Sequence, residues 1–122
     1  MDYWYTVKEF KQDQFDVRVD WTYEHAALGD CFDETVSDLE SMISRCNAGV
    51  DTHYIARVRV SYDGHEMGCS TLGSCYAYDC SPEDDINAGI GGYLEDMVDE
   101  AMDQARTAAV RMLDRLKADF LS

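Results

Sequence analysis

Two segments of this chain alternate strictly between apolar and polar residues, and this alternation constrains the fold more than any other feature. They cover residues 15–23 and residues 53–62. Successive side chains of a strand point to opposite faces, so both segments predict half-buried strands whose apolar side needs a covering layer. The apolar positions are Phe15, Val17, Val19, Trp21, Tyr54, Ala56, Val58 and Val60.

A further strand is predicted near the N-terminus. Residues 3–10 are rich in aromatic and β-branched side chains, which favour a pleated, half-buried surface. Residues 11–14 are polar and short enough to form a turn. The first two strands are therefore expected to pair as an antiparallel hairpin.

A second hairpin is predicted at Asp63-Gly64, the strongest turn signal in the chain. Its return strand is expected over residues 65–72. Gly68 within this strand indicates a weakened position or a bulge. Residues 72–76 are apolar and small, and are compatible with either a strand extension or a tucked loop.

Between the two hairpins the sequence predicts a helix. Asp33 is a suitable N-cap, Glu34 lies in the first turn, and Gly49 is a suitable C-terminal stop. Its apolar stripe consists of Val36, Leu39, Ile43 and Cys46.

The C-terminal part predicts a short helix and then a long one. Ser81-Pro82 with the acidic residues after it is a good helix start, and glycines at 89, 91 and 92 separate that first turn from the long helix. Apolar residues then recur at three- and four-residue steps, which defines one helical face. They are Leu94, Met97, Val98, Ala101, Ala105, Ala108, Met112, Leu116 and Phe120.

The predicted fold class is therefore α+β, with the order ββαββα. A single domain of 122 residues would form a four-stranded antiparallel sheet with two helices packed on one face. The sequence leaves open whether Arg18, Arg57 and Arg59 or the opposite set faces these helices.

Charge is strongly segregated along the chain. Twenty-five acidic and ten basic side chains give a formal net charge of −15. Residues 19–44 contain seven acids, residues 60–105 contain eleven, and neither stretch contains Lys or Arg. Such a chain repels nucleic acid and anionic membranes and favours basic protein surfaces. A surface selected for solubility alone normally mixes both signs.

Acidic residues, with one tyrosine, are the candidate partner-binding residues. A tyrosine among charges is common at protein interfaces. The candidates are Asp33, Glu34, Asp38, Asp79, Glu83, Asp84, Asp85, Tyr93, Glu95, Asp96, Asp99, Glu100 and Asp103.

The sequence contains no motif typical of a catalytic site or a metal site. His25, His53 and His65 are scattered, and Cys75 has no activating base nearby in sequence. Five cysteines, without an export signal, are expected to be reduced. We predict no catalytic residue and no cofactor. A zinc site is left open at His65, Cys69, Cys75 and Cys80, although their spacing matches no usual finger. Clustered acids leave a calcium or magnesium site open as well, although the calcium-loop pattern is absent.

The C-terminal half resembles small acidic proteins encoded by bacteriophages and prophages. The resemblance lies in the segment 55–64, in Gly68 and Leu72-Gly73, and in Gly92-Tyr-Leu-Glu-Asp-Met97 with the Ala-rich helix. It implies expression inside a bacterial host, and no catalytic residue carries over from it. Small acidic phage proteins of unrelated folds often block host defence nucleases, as anti-CRISPR or anti-restriction inhibitors that mimic DNA.

Three functions are compatible with these features. The leading expectation is a non-enzymatic inhibitor, located in the cytoplasm of the bacterial host, that binds a basic nucleic-acid-handling defence protein. The alternative is a small structural or regulatory phage protein that forms a homodimer or larger homo-oligomer through its long helix or a strand edge. A metal-dependent enzyme would require the Cys and His residues to converge.

Overall fold

The computed structural model describes residues 3–26, 28 and 39–121. The strands are β1 (Tyr5–Gln12), β2 (Phe15–Tyr23), β3 (Thr52–Tyr62) and β4 (His65–Ala77). The helices are α1 (Leu39–Asn47), α2 (Pro82–Asn87), a 3-10 turn (Ile90–Gly92) and α3 (Tyr93–Phe120). The four-stranded antiparallel sheet, the α+β class and the long C-terminal helix are confirmed.

The sheet is a simple meander with the order β1-β2-β3-β4. Asp13-Gln14 and Asp63-Gly64 form the two hairpin turns, with positive φ at all four residues, which suits the right-handed twist of the flanking strands. β4 continues to Ala77 past an irregularity in its pairing with β3. The strand-extension interpretation of residues 72–76 is therefore the correct one.

Alternation decides which face of the sheet is covered. Val17, Val19, Val58 and Val60 are all fully buried on the face against α2 and α3. Arg18 pairs with Arg59 across β2 and β3, and both residues lie on the opposite side, here called the second face. The arginine set thus points away from the helical layer, which settles the choice left open by the sequence.

β4 and α3 are in close contact at Gly68. A Cβ atom at this position would lie 2.1 Å from the Ala101 carbonyl oxygen and 3.1 Å from the Ala105 backbone nitrogen. The register moves from Val60↔Gly68 to Ser61↔Glu66, so a bulge lies beside the glycine as expected. Gly68 together with two alanines therefore lets the backbones of β4 and α3 approach each other directly.

The junction before α3 follows the sequence signals closely. The Ser81 hydroxyl accepts a hydrogen bond from the Asp84 backbone N–H at 3.1 Å, and Pro82 occupies the first turn of α2. Gly89 and Gly92 both have φ of 95°, a conformation that other residues rarely adopt. The glycines thus end one helix and allow the next to begin in a new direction.

α1 does not belong to the layer formed by α2 and α3. It contributes no buried residue, and one of its links to the sheet is the Tyr76 hydroxyl, which donates to the Met42 carbonyl oxygen at 3.3 Å. Tyr76 pairs with His53, next to the core pair Tyr54↔Cys75, so its side chain lies on the second face. Of the two helices predicted to share one face, only the long C-terminal helix covers the core, and α2 rather than α1 lies beside it. The predicted N-cap and first turn of α1 lie outside the described residues.

A buried carboxylate ties α1 to the sheet. Asp51 accepts hydrogen bonds from Arg45 Nε at 2.8 Å, from the Asp79 backbone N–H at 2.7 Å and from the Tyr76 hydroxyl. These donors, led by Arg45, lower the pKa of Asp51 from 3.8 to about 2. Burial of the phenol raises the pKa of Tyr76, which keeps it a donor.

Asp51 should contribute to the acid sensitivity of the fold. Because its pKa is lower in the folded chain, its stabilisation is complete above pH 3.8 and is lost as pH falls toward about 2. We expect Asp51→Asn to lower the Tm at neutral pH by about 5 °C or more and to flatten the fall of Tm with acidification. Calorimetry between about pH 7 and about pH 2 measures both effects.

Asp79→Asn is the matched control, because Asp79 reaches Asp51 through its backbone N–H while its own carboxylate is exposed. The Tm of Asp79→Asn should fall with acidification as the Tm of the unsubstituted chain does. If the Tm of Asp51→Asn and that of Asp79→Asn depend on pH in the same way, Asp51 does not have the proposed role in acid sensitivity.

Candidate protein-binding surface

The exposed side of α3 carries a compact group of five carboxylates. We call it the acidic face of α3, and it consists of Glu95, Asp96, Asp99, Glu100 and Asp103. At about 100° per residue, this spacing confines the five side chains to an arc of about 140°. The opposite arc supplies the buried residues Leu94, Met97 and Ala101. The acidic face is thus a consequence of the same periodicity that builds the core.

The acidic face is spatially dense in charge. Eight residue steps of about 1.5 Å place its carboxylates within about 12 Å of helix axis. Arg106 is the described cation at its C-terminal end, 3.1 Å from Asp103. Glu100 accepts from the Ser70 hydroxyl at 3.3 Å and is anchored over β4. Glu95, Asp96 and Asp99 remain exposed to solvent.

Two predicted binding residues instead attach α2 to the sheet. Glu83 accepts from the indole Nε1–H of Trp21 at 2.8 Å, and Asp85 accepts from the Tyr54 hydroxyl at 2.5 Å. Burial, aided by Asp85, raises the pKa of Tyr54 far above its ordinary value, so the phenol stays protonated. Both carboxylates satisfy buried donors, and their first role is structural.

The remaining predicted residues are dispersed. Asp84 and Tyr93 are exposed at the start of α2 and of α3. Asp79 is exposed beside Arg45, at 4.0 Å from it, and belongs to the Asp51 network. Residues 33, 34 and 38, predicted as Asp33, Glu34 and Asp38, lie outside the described residues. Residues 60–105, which contain no Lys or Arg, therefore do not form one surface. Their acidic side chains are densest on the acidic face of α3.

The arginines of β2 and β3 lie on the second face, away from α3. Arg57 donates from Nε and Nη2 to the two oxygens of Asp20, each at 3.0 Å, and Arg59 lies 3.4 Å from the same carboxylate. The Arg57 guanidinium sits 3.6 Å from the ring centre of Trp4. Asp20 is 1% exposed. Two partly exposed cations thus share one buried carboxylate.

A cleft of about 570 Å³ lies beside that cluster. Two of its basic residues have acidic partners within the cleft, Arg18 with Glu9 at 2.7 Å and Lys11 with Asp16 at 3.5 Å. The third, Arg59, shares Asp20 with Arg57, so the cleft is lined by both signs of charge. On the acidic face of α3, by contrast, Glu95, Asp96 and Asp99 are exposed and form no salt bridge with the described cations.

The cysteine and histidine positions do not converge in the described part of the chain. No group of three or more His, Cys, Asp or Glu side chains could hold a metal ion among the residues of known placement. Cys75 is buried in the core, and burial raises its pKa to about 11, so it stays a neutral thiol near neutral pH. Cys46, Cys69 and Cys80 are also free thiols.

The predicted apolar face of α3 divides into two parts. Its last buried residue is Ala105, whereas Met112, Leu116 and Phe120 are 52%, 47% and 77% exposed. The expectation that the whole face packs on the sheet is therefore wrong. α3 is longer than the part of β4 that lies under it. From Gly68, β4 extends only three more residues, about 10 Å, to its end at His65. From Ala105, α3 continues for about 22 Å to Phe120.

Comparisons with known proteins give no identification. No family model, curated protein or solved structure matches the chain. In the described residues, no helix is both long and apolar enough to cross a membrane.

Proposed function

We propose that this chain is a non-enzymatic inhibitor that docks the acidic face of α3 on the nucleic-acid-binding groove of a basic protein. The observation that carries the proposal is the dense, one-sided set of exposed carboxylates on a rigid helix. Along its axis the five charges are on average about 3 Å apart, near the roughly 3.4 Å between phosphates of one DNA strand. The partner class is thus a protein that binds a nucleic-acid backbone.

The segregation of charge supports the same proposal. The cations of β2 and β3 are held on the second face by Asp20 and Glu9, so they do not screen the acidic face. Tyr93, 59% exposed at the start of α3, supplies an aromatic side chain beside the carboxylates. The charges would accelerate association, and the aromatic group would be desolvated in the complex.

The resemblance to small acidic phage proteins supplies the biological setting of this proposal. In that setting the partner is a host defence nuclease, of the restriction or CRISPR type, in the bacterial cytoplasm. The chain would block the nuclease by occupying its DNA groove, which requires no catalytic residue and no cofactor.

A competition assay with purified defence nucleases tests the proposal. The chain should displace a fluorescent DNA duplex from at least one restriction or CRISPR nuclease, and the competition should weaken steeply between about 50 and about 500 mM salt. We expect Asp96→Lys with Asp99→Lys to reduce the competition about tenfold or more.

The matched control changes the same amount of charge elsewhere. Glu40 and Glu66 are exposed acids outside the acidic face, and replacing both with lysine should leave the competition within about threefold of the original. If both double variants lose activity equally, net charge rather than the acidic face is responsible. Failure to displace DNA from any nuclease at low salt would refute the proposed function.

A further inference from the structure

We propose that a groove beside the start of α3 receives an arginine side chain of the basic partner. We call it the α3 groove. It lies between the end of β1 and the first two turns of α3, with a volume of about 590 Å³. Its long walls are formed by Gln12, Leu94, Glu95, Val98 and Asp99. The inference rests on the proposed function for the identity of the partner, and it names the side chain that the partner contributes.

The inner wall of the α3 groove is apolar. Leu94 is buried in the core, and Val98 packs against the core from a half-buried position. The stem of an arginine consists of methylene groups that lie favourably along apolar surface while the charged end stays near water. The groove thus gives a long basic side chain a contact area that a bare helix surface does not provide.

The outer rim of the α3 groove carries two carboxylates. Glu95 and Asp99 are one turn apart, about 6 Å along the helix axis, so their side chains are neighbours. Both are exposed, and neither forms a salt bridge with a described cation. Two like charges at this spacing repel each other, and a cation placed between them removes the repulsion. Unpaired negative charge therefore lies directly beside an apolar wall.

The opposite wall adds a polar acceptor. Gln12 is the last residue of β1 and pairs with Phe15, which packs against the core, so Gln12 lies on the sheet face that α3 covers. Its amide oxygen can accept one N–H while the two carboxylates accept others. A guanidinium presents several N–H donors in a planar fork, whereas a lysine ammonium is one compact charge. Acceptors on both sides of the groove therefore favour arginine over lysine.

A metal ion fits the α3 groove less well than an organic cation. Calcium takes about six to eight oxygen ligands. Among the described residues, no group of three or more His, Cys, Asp or Glu side chains could hold a metal ion. Two carboxylates with an amide match the hydrogen-bonding capacity of a guanidinium instead.

The groove is formed before a partner arrives. Its walls are joined by a salt bridge in which Arg106 of α3 donates to Asp13, the neighbour of Gln12, at 2.8 Å. At the glycine junction, a Cβ at Gly89 or Gly92 would meet no atom within 4 Å, so that end is open. A side chain can therefore enter without rearrangement, which lowers the entropic cost of binding.

Arginine is also the side chain that the proposed partner has available. Proteins that bind nucleic acid contact its phosphates largely through Arg and Lys. An arginine that holds a phosphate in the DNA complex would lie between Glu95 and Asp99 here, with its stem along Val98. The α3 groove would then anchor the complex, while the rest of the acidic face attracts the partner.

Titration of the ¹⁵N-labelled chain with N-acetyl-L-arginine amide, followed by ¹H–¹⁵N correlation spectra, tests the α3 groove. This probe has the arginine side chain and no terminal charge. We expect saturable shifts centred on the amides of Gln12, Gly89, Gly92 and Val98, with a Kd on the order of 1 mM. The lysine analogue should bind about threefold more weakly. The neutral citrulline analogue should produce no saturable shifts, because its urea group has no charge.

Two double variants that keep side-chain shape locate the site. Glu95→Gln with Asp99→Asn should raise the Kd of the arginine probe about tenfold, because the rim loses both carboxylates. Asp96→Asn with Asp114→Asn removes the same charge from α3 outside the groove, and should raise the Kd less than about twofold. All four residues are exposed, so the circular dichroism of both variants should match the original.

Three results would overturn the α3 groove as an arginine site. The first is equal weakening by the two double variants, which would show that net charge alone attracts the probe. The second is a set of shifts that misses Gln12 and Gly89. The third is binding of the citrulline analogue as tightly as the arginine probe.

The DNA competition assay separates this inference from the proposed function. A chain that displaces DNA from a nuclease but does not bind the arginine probe in the α3 groove refutes the groove alone. Binding of the probe in the groove, without displacement of DNA from any nuclease, supports the arginine site and refutes the proposed function.

Discussion

Replacing Gly68 with alanine is expected to destabilise the protein by about 3 kcal/mol, at the upper end of the usual cost of overpacking. The new methyl group would lie 2.1 Å from the Ala101 carbonyl oxygen. This neighbour is helix backbone, so the contact cannot be relieved by a side-chain rotation. Either α3 must move away from β4, which opens the core around Met102 and Ala105, or β4 must bend.

Urea unfolding followed by circular dichroism measures this change, and a fall in Tm of about 10 °C should accompany it. Gly73→Ala is the matched control in the same strand. A Cβ at Gly73 would meet Glu24 Oε2 at 3.5 Å, an ordinary van der Waals distance. We expect this control to change stability by less than about 0.5 kcal/mol. Similar losses in both variants would show that loss of glycine flexibility, rather than helix contact, is responsible.

Asp20→Asn should have a comparably large effect, lowering the free energy of unfolding by about 3 kcal/mol. Asp20 is the buried counter-charge of Arg57 and Arg59, and the substitution keeps its shape while removing its charge. The two guanidinium groups are then partly buried without a carboxylate. This lowers the free energy of unfolding by more than the loss of one hydrogen bond would. The Trp4 ring over Arg57 should loosen as well.

Asp16→Asn provides the matched control, since Asp16 lies two alternate positions before Asp20 on the same face of β2. Its partner Lys11 is 75% exposed at 3.5 Å, and such surface pairs contribute less than about 1 kcal/mol. Unfolding in guanidinium chloride and Trp fluorescence would compare the two variants. Equal stability of Asp20→Asn and the original chain would contradict the importance of the buried cluster.

Much of the local structure is predictable because its signals act over a few residues. The Asp63-Gly64 turn needs positive φ at two positions, and Ser81-Pro82 supplies both a cap and a preset first turn. Alternation in β2 and β3 also places their side chains on two faces correctly. These features depend on neighbours in the chain, so a sequence pattern is sufficient to find them.

The candidate site was predicted in part. Residues 95, 96, 99, 100 and 103 do share one exposed face, because helical periodicity alone places them there. Glu83 and Asp85 looked equivalent to them as acids, yet they accept from Trp21 and Tyr54. No sequence pattern relates Glu83 to an indole 62 residues away, so its structural role could not be anticipated.

Local residue patterns are enough to define the elements of this protein: four strands, two hairpin turns, the glycine junction and a long helix with acids before bases. Only long-range packing settles that the arginines lie away from α3, that α1 docks on the second face, and that core packing stops at Ala105. The physical reason is that burial depends on which distant segment lies over a side chain. The apolar stripe of α3 continues to Phe120, but β4 ends at His65, so Met112, Leu116 and Phe120 stay exposed.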